Sequence, residues 1–185
     1  MAKIMKISAL SSALLTLLFI ILYTTNTQSS LLLILAITAG TTAYHFIMRL
    51  LVGIIFDFLL HNRVDYNAPW FRPKTFETRL YKSLGVKKWK SKMGTYDPKS
   101  FDPKLHSWEE IASATCQAEL VHEVIIALSF LPLLAAISFG TFPAFAVTSI
   151  LAACFDAIFV IMQRYNRPRI IRLISTAQKN QKNPC

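Results

Sequence analysis

Four long apolar runs constrain the fold of this chain more than any other feature of its sequence. They cover about residues 7–25, 31–50, 120–139 and 143–162. A helix needs about 20 mostly apolar residues to cross the hydrocarbon core of a bilayer, and each run reaches that length. The sequence therefore predicts an all-α integral membrane protein in which a single membrane domain contains four transmembrane helices.

Two details of these runs leave alternatives open. The second run continues to Leu60, so we expect residues 51–60 to lie along or just under the membrane surface. The first run could instead be a secretory signal peptide. The polar stretch at 24–30 that follows it has no Ala-x-Ala cleavage pattern, which favours a retained helix.

The Lys and Arg residues orient the predicted helices. All 20 lie at the N-terminal end, at the end of the second run, in the polar segment at about 61–117 or in the tail at 163–185. None lies in the turns at 24–30 and 140–143, so alternating helices place every cation on one side of the membrane. The positive-inside rule makes that side cytoplasmic. We therefore predict a multi-pass protein of the cell membrane with both termini in the cytoplasm and a long basic cytoplasmic segment between the second and third helices.

The net charge of +10 follows from this topology. Cytoplasmic cations are attracted to anionic lipid headgroups, so a nucleic-acid partner is not needed to explain them. We predict membrane lipids as partners and no nucleic acid.

Three local signals mark helix ends or bends. Ser107-Trp108-Glu109-Glu110 fits a Ser-x-x-Glu capping box, which predicts a helix that begins at Trp108 and continues into the third apolar run. Pro132 should kink that run, because proline cannot donate the helical hydrogen bond and its ring crowds the preceding turn. For the same reason we expect Pro168 to end the last helix.

Helix rise predicts which polar side chains reach the same depth. At about 1.5 Å per residue, about 20 residues counted inward from each external turn end at an ionisable or polar side chain. We therefore expect one layer of polar residues at the cytoplasmic face, made of His45, Arg49, Glu119, His122, Glu123, Gln163 and Arg164.

Glu119 and His122 form a candidate catalytic pair. They are three residues apart and so share one face of the third helix. A carboxylate beside an imidazole orients a general base and stabilises its protonated form. A carboxylate-bridged metal site needs more ligands, so no metal is predicted. Both residues could also be purely structural, because acids favour a helix N-terminus and a buried histidine can simply bond to a neighbouring helix.

Two basic clusters are candidate anion sites. Gln163–Arg169 places three arginines at the exit of the last helix, where planar guanidinium groups suit phosphate. The Gln and Asn side chains in this heptapeptide could donate hydrogen bonds to a developing oxyanion. A plain stop-transfer cluster is the alternative interpretation. Lys87-Lys88-Trp89-Lys90 is the second cluster, and binding of lipid headgroups would explain it equally well.

Asp156 is a carboxylate at membrane depth, where an ionised group is costly unless it is paired or functional. It lies seven residues before Gln163, on the same face of the last helix. Its candidate partner is Arg49 or His45. A helix-packing clamp and a catalytic role fit this group equally well.

Taken together, these segments resemble a known family. Val86–Lys90, Ala118–His122 and Gln163–Arg169, in this order and spacing, resemble the glycosyl-4,4'-diaponeurosporenoate acyltransferases, small bacterial membrane enzymes of carotenoid biosynthesis of the staphyloxanthin type. The resemblance covers about residues 80–173 and is most specific in the last segment. It implies an enzyme that esterifies a fatty acyl chain onto the sugar of a glycosylated carotenoid.

The resemblance also implies roles for the candidate residues. His122 would remove the proton of the acceptor hydroxyl, and Glu119 would orient it. Asn166 and Gln163 would hold the oxyanion. The residues implied to bind the phosphates of an acyl-CoA or acyl-carrier donor are Arg164, Arg167, Arg169, Lys88 and Lys90. The supporting residues are Trp89, Tyr165, Asp156, His45 and Arg49. No cofactor is implied beyond the thioester donor.

We thus expect a membrane O-acyltransferase that moves a fatty acyl chain from a thioester donor to a hydroxyl of a lipid or glycolipid acceptor at the cytoplasmic face. Two other functions fit the same sequence. One is a lipid-binding or assembly protein without catalytic activity, in which charge matters and His122 does not. The other is a membrane methyltransferase, a class that also ends in arginine-rich cytoplasmic segments.

Overall fold

The chain is built from helices. The computed structural model describes residues 2–25 and 29–182, and every regular element within these ranges is helical, as predicted. The α-helices are α1 (Ala2–Thr25), α2 (Ser30–Leu60), α3 (Glu77–Ser83), α4 (Val86–Trp89), α5 (Trp108–Leu128), α6 (Ala136–Phe139) and α7 (Phe142–Lys182). Short 3-10 turns occupy Pro69–Phe71, Lys90–Lys92, Lys99–Phe101 and Leu131–Ala135.

Four stretches are long and apolar enough to cross a membrane, which confirms the predicted number of spans. They are Lys3–Thr25, Ser30–Leu60, Trp108–Phe139 and Phe142–Lys179. Large aliphatic side chains on them are strongly exposed, for example Ile7 at 66% and Ile137 at 86%. Apolar surface on this scale is stable against lipid rather than water. The protein is therefore a membrane protein, and the cytoplasmic placement of its termini stays a prediction.

The chain folds into two compact units. The first consists of the residues up to Ile55 together with Glu123–Ala157, and the second of Phe56–His122 together with the chain from Ile158 onward. Helices α2, α5 and α7 contribute residues to both units. Residues 26–28 of the first predicted turn and the last three residues of the tail lie outside the described ranges.

Small residues let α1 and α2 approach closely in the first unit. A side chain on Gly40 would meet Thr16 Cγ2 at 3.4 Å, so glycine leaves just enough room for the neighbouring helix. Ser12 and Thr16 donate their hydroxyls to carbonyls of their own helix, at 2.6 and 2.7 Å. Tyr44 connects α2 to α5 by donating to the carbonyl of Leu128 at 2.9 Å.

The predicted signals at both ends of α5 have the expected effect. Ser107 N–H donates to Glu110 Oε2 at 2.8 Å and Glu110 N–H donates to Ser107 Oγ at 3.2 Å, which is the reciprocal capping box. The helix begins at Trp108, as predicted. It ends at Leu128, and the chain tightens into a 3-10 turn around Pro132. The expected kink is therefore a break in the helix.

The prediction that Pro168 ends the last helix is wrong, because α7 continues through it to Lys182. Proline in a helix interior costs about 3 kcal/mol through one lost hydrogen bond and a steric clash. Here the flanking Arg164 and Arg167 both bind the carboxylate of Glu119. These two anchors lie on the turn that Pro168 weakens, and they hold it in helical geometry.

Candidate active site

A buried carboxylate on α5 is the centre of the polar network in the second unit. Glu119 has no exposed surface. Its Oε1 accepts a hydrogen bond from Arg164 Nη1 at 2.6 Å, and its Oε2 accepts one from Arg167 Nη2. Because α7 supplies both arginines, one carboxylate joins α5 to two successive positions of α7.

A second carboxylate, on α3, completes the network. Arg164 Nε donates to Glu77 Oε1 at 2.8 Å, and Tyr81 donates its hydroxyl to Glu77 Oε2 at 2.9 Å. Burial and then the hydrogen bond to Glu77 raise the pKa of the Tyr81 phenol above its ordinary value, so Tyr81 remains a neutral donor. Two acids thus balance two arginines, which is what buried charges require.

The backbone before α3 accepts further hydrogen bonds from both guanidinium groups. Arg167 donates to the carbonyl of Phe71 at 3.3 Å, and its Cζ lies 4.8 Å from the centre of the Phe71 ring. Arg164 donates to the carbonyls of Trp70 and Arg72 at 3.4 and 3.2 Å. The 3-10 turn at Pro69–Phe71 is therefore packed against both arginines.

These contacts change the roles that the sequence suggested. Arg164 and Arg167 were expected to bind donor phosphates, but their guanidinium groups are engaged with Glu119 and Glu77. Arg167 is only 2% exposed, so an incoming phosphate has no access to it. Glu119 was expected to orient His122, whereas both of its oxygens bind arginines. The three residues join α5 to α7 instead.

His122 lies one turn along α5 from Glu119, on the same helix face. Its ring stacks on that of Phe159, with centroids 4.7 Å apart and planes 9° from parallel. Phe159 is buried and His122 is half-buried. The stack fixes the plane of the imidazole against α7.

One face of α7 runs past His122. Phe159, Gln163 and Arg167 follow one another at intervals of four residues, so they share this face. Phe159 contacts His122 and Arg167 contacts Glu119, which means that the face is turned towards α5. Gln163, which is buried, lies between these two contacts.

A second group of predicted residues gathers around Tyr165. Lys90 donates to Asn166 Oδ1 at 2.5 Å, and its Nζ lies 4.9 Å from the centre of the Tyr165 ring. Arg169 covers the same ring at 5.1 Å, and Tyr81 packs edge-on against it at 5.3 Å. Burial and then the charge of Arg169 lower the pKa of the Lys90 ammonium.

Lys88 and Trp89 are not drawn into this cluster by any contact that the described residues show. Lys88 is exposed. Trp89 donates its indole N–H to the carbonyl of Leu84 at 2.9 Å, within its own segment. Both residues lie in α4, which Gly85 precedes. Gly85 has a left-handed φ of +58°, which a glycine adopts without strain.

The supporting residues of α2 and Asp156 form a cluster of their own in the first unit. Arg49 Nε donates to Asp156 Oδ2 at 2.9 Å, and its other nitrogens donate to the carbonyls of His45 and Ala152 at 3.0 and 3.1 Å. Of the two candidate partners predicted for Asp156, Arg49 is confirmed. His45 is buried, and neither ring nitrogen has a hydrogen-bond partner among the described residues. The single layer predicted across all these residues stays a prediction.

Sequence reasoning missed four members of the site in the second unit: Phe71, Glu77, Tyr81 and Phe159. Glu77 left one usable signal, since it is the only acid between Asp65 and Asp97 in a strongly basic segment. The aromatic residues carried no signal, because Phe159 resembles any other ring of an apolar span, and Phe71 and Tyr81 are two of several aromatic residues in the polar segment at about 61–117. Within residues 2–25 and 29–182, no group of three His, Cys, Asp or Glu side chains could hold a metal ion.

Comparison with known proteins assigns the sequence to a family. Neither the curated proteins nor the solved structures contain a match to the chain. The sequence model of the glycosyl-4,4'-diaponeurosporenoate acyltransferases matches residues 67–176, more than half of the 185 residues. The matched stretch contains Glu77, Lys90, Glu119, His122 and the heptapeptide that begins at Gln163. The chain therefore belongs to the glycosyl-4,4'-diaponeurosporenoate acyltransferase family.

Proposed function

We propose that this protein is a membrane O-acyltransferase that moves a fatty acyl chain from a thioester donor to a hydroxyl of a lipid or glycolipid acceptor. Membership of an acyltransferase family supports the type of reaction. The four candidate spans support an acceptor that resides in the bilayer. The one-sided distribution of Lys and Arg supports access to it from the cytoplasmic face. The observation that carries the assignment is the His122–Phe159 stack beside the α7 face that bears Gln163.

His122 acts as the general base in this proposal. It takes the proton of the acceptor hydroxyl while the hydroxyl oxygen attacks the thioester carbonyl carbon. The tetrahedral intermediate then collapses, the carbon–sulfur bond breaks, and the imidazolium returns the proton to the departing thiolate. The products are an ester and a free thiol, and His122 is again neutral.

Gln163 is the better placed of the two proposed oxyanion donors. It lies one turn from Phe159 on the face that contacts α5, whereas Asn166 lies seven residues away, about 10 Å further along the axis. A buried amide N–H₂ stabilises the developing negative charge without competition from water. Asn166 instead accepts a hydrogen bond from Lys90 through its side-chain carbonyl oxygen.

The donor binds through cations that remain accessible. Arg169 and Lys88 are exposed. Lys90 is half-buried, lies two residues from Lys88 and interacts electrostatically with Arg169. Their charges suit the phosphates of an acyl-CoA or the acidic surface and phosphopantetheine of an acyl-carrier protein. Glu119, Arg164 and Arg167 act as positioning residues, since their ion pairs hold α5 and α7 at the register that sets His122 beside Gln163.

The test is the lipid composition of membranes from cells that express the protein. We expect a lipid heavier by one acyl chain with the wild type, and none with His122→Ala or Gln163→Ala. His122→Ala should lower turnover by about 10²–10⁴-fold, the usual contribution of a general base. The matched control is Arg79→Gln, an exposed side chain outside this network.

Each variant must first be shown to insert and to retain its helix content. Unchanged turnover in a folded His122→Ala protein rejects the role of His122. A lipid heavier by a methyl group rather than an acyl chain rejects acyl transfer itself. If the wild type produces no acylated lipid at all, the result favours a lipid-binding protein without catalytic activity.

A further inference from the structure

The second unit contains a cavity that the proposed reaction does not use. Its volume is about 600 Å³, within the range of sites that bind small molecules. Its walls come from the turn that follows α2 and from the start of α5. The lining side chains that matter below are His61, Arg63, Asp65, Glu109 and Glu110.

The turn that forms one wall is held in place. His61 and Asn62 have φ values of +48° and +55°, a left-handed conformation that costs about 1 kcal/mol or more for residues other than glycine. Asn62 N–H donates to Oε1 of the buried Gln117 at 2.7 Å. The strained turn is thus tied to α5, and the cavity has a fixed wall.

Two opposite charges face this cavity without partners. Among the residues that the structure describes, neither the guanidinium of Arg63 nor the carboxylate of Glu109 makes an ion pair or a side-chain hydrogen bond, although both line the cavity. Glu110, by contrast, caps α5 and lies 3.6 Å from His106 Nδ1. A cation and an anion that share a cavity but do not pair suit a ligand that carries both signs.

The balance of charge excludes a polyanion as the occupant. Three carboxylates line the cavity, those of Asp65, Glu109 and Glu110, against the single guanidinium of Arg63. This reverses the excess of cations in the chain as a whole, where Lys and Arg outnumber acids by 20 to 10. The several phosphates of a nucleotide donor would be repelled here. A ligand with one phosphate and one ammonium group would not.

The position of the cavity points to a lipid. Phe58 and Leu59, which immediately precede the turn, are 74% and 66% exposed at the end of a candidate span. Large apolar side chains exposed in this way contact hydrocarbon or its boundary. The polar turn that follows them therefore lies at the depth of the headgroups.

We propose that this cavity binds the headgroup of a zwitterionic phospholipid, with its phosphate on Arg63 and His61 and its ammonium on Glu109 and Asp65. The site is separate from acyl transfer and does not depend on it. Residues 61–66, which supply half of its wall, precede the stretch matched by the family. Lipid preference here is thus a property of this chain.

The test measures binding to the full chain in a polyoxyethylene detergent, which carries neither charge nor sugar. The probes are dihexanoyl-phosphatidylethanolamine and dihexanoyl-phosphatidylglycerol, which share chain length and phosphate but differ in the ammonium group. We expect calorimetry to show at least about tenfold tighter binding of the ethanolamine lipid. Arg63→Gln and Glu109→Gln should each weaken it about tenfold, as loss of one charge-assisted hydrogen bond does.

Arg79→Gln is the matched control, because it removes an exposed guanidinium that lies outside the cavity. It should leave binding unchanged. Equal affinity for both lipids, binding of neither, or an equal loss with Arg79→Gln overturns the proposal. Competition by octyl glucoside at the affinity of the ethanolamine lipid also overturns it, since the site would then recognise hydroxyl groups rather than two charges. Acyl transfer is not measured, so this outcome is independent of the proposed function.

Discussion

The two units of this protein each bury charge, but they do so in different ways. In the first unit Arg49 pairs with Asp156 and also donates to backbone carbonyls. The second unit holds a network in which Glu119 binds two arginines and Arg164 binds two carboxylates. Both partners of a pair can be replaced together, whereas Glu119 and Arg164 are each shared between two partners. The first unit thus has a local clamp between two helices, whereas the second has a framework of ion pairs that positions a site.

The largest effect is expected at the shared carboxylate. Glu119→Ala leaves Arg167 as a buried cation without its carboxylate, and it deprives Arg164 of one of its two acids. We expect a loss of about 5 kcal/mol in the free energy of unfolding, the upper end for a broken buried pair. Thermal unfolding of the detergent-solubilised protein measures it, with Arg79→Gln as control. An unchanged midpoint would show that the network contributes nothing to the second unit.

The pair in the first unit should behave differently when both partners are replaced. Asp156→Leu alone strands Arg49 and should cost about 3 kcal/mol. The double variant Arg49→Leu/Asp156→Leu should recover most of that loss, because well-packed apolar residues replace a buried pair at little cost. Unfolding of both variants in the same detergent measures the recovery. A double variant as unstable as the single one would mean that the pair is a functional site rather than a clamp.

Replacing both Glu119 and Arg167 by leucine, the corresponding double variant in the second unit, should not recover the lost stability. Removing Glu119 together with Arg167 still leaves Arg164 short of one carboxylate. Recovery in that double variant would show that the second unit also contains independent pairs.

The smallest expected effect concerns the donor side. The pKa of Lys90 is lowered by burial and by the charge of Arg169, so its ammonium loses its proton at a lower pH than an ordinary lysine. Donor affinity should therefore fall as the pH rises towards that lowered pKa, by up to about fivefold, the worth of one partly screened charge. Lys90→Arg should abolish this alkaline loss, because arginine stays charged. Binding of acyl-CoA from neutral to alkaline pH measures it. A parallel decline in both proteins would place the titration elsewhere.

The features of the fold that could be predicted from the sequence are the local ones. Apolar length predicts the spans, and the capping box at Ser107 and the break at Pro132 act within one turn of the chain. Pro168 was misjudged because its helix is held by ion pairs to Glu119, nearly fifty residues earlier. Nothing in the residues around Pro168 carries that information.

For the site, too, the sequence indicated individual residues but not most of their distant partners. Asp156 required a partner at membrane depth, which was enough to propose Arg49 or His45, and the structure shows Arg49. Arg164 and Arg167 looked like an anion site because their charges are evident in the sequence, whereas the contact of Arg164 with the distant Glu77 is not. His122 was found by its spacing from Glu119, yet the ring that fixes it, Phe159, resembles any other aromatic residue of a membrane span.

The charge balance around Glu119 also has an evolutionary consequence. Glu77, Glu119, Arg164 and Arg167 neutralise one another in a setting that tolerates no surplus. Loss of one of them leaves a buried charge without its partner and lowers stability until a second substitution removes that charge. We therefore expect these four positions to change together among relatives, with the loss of a carboxylate on α3 or α5 matched by the loss of an arginine on α7.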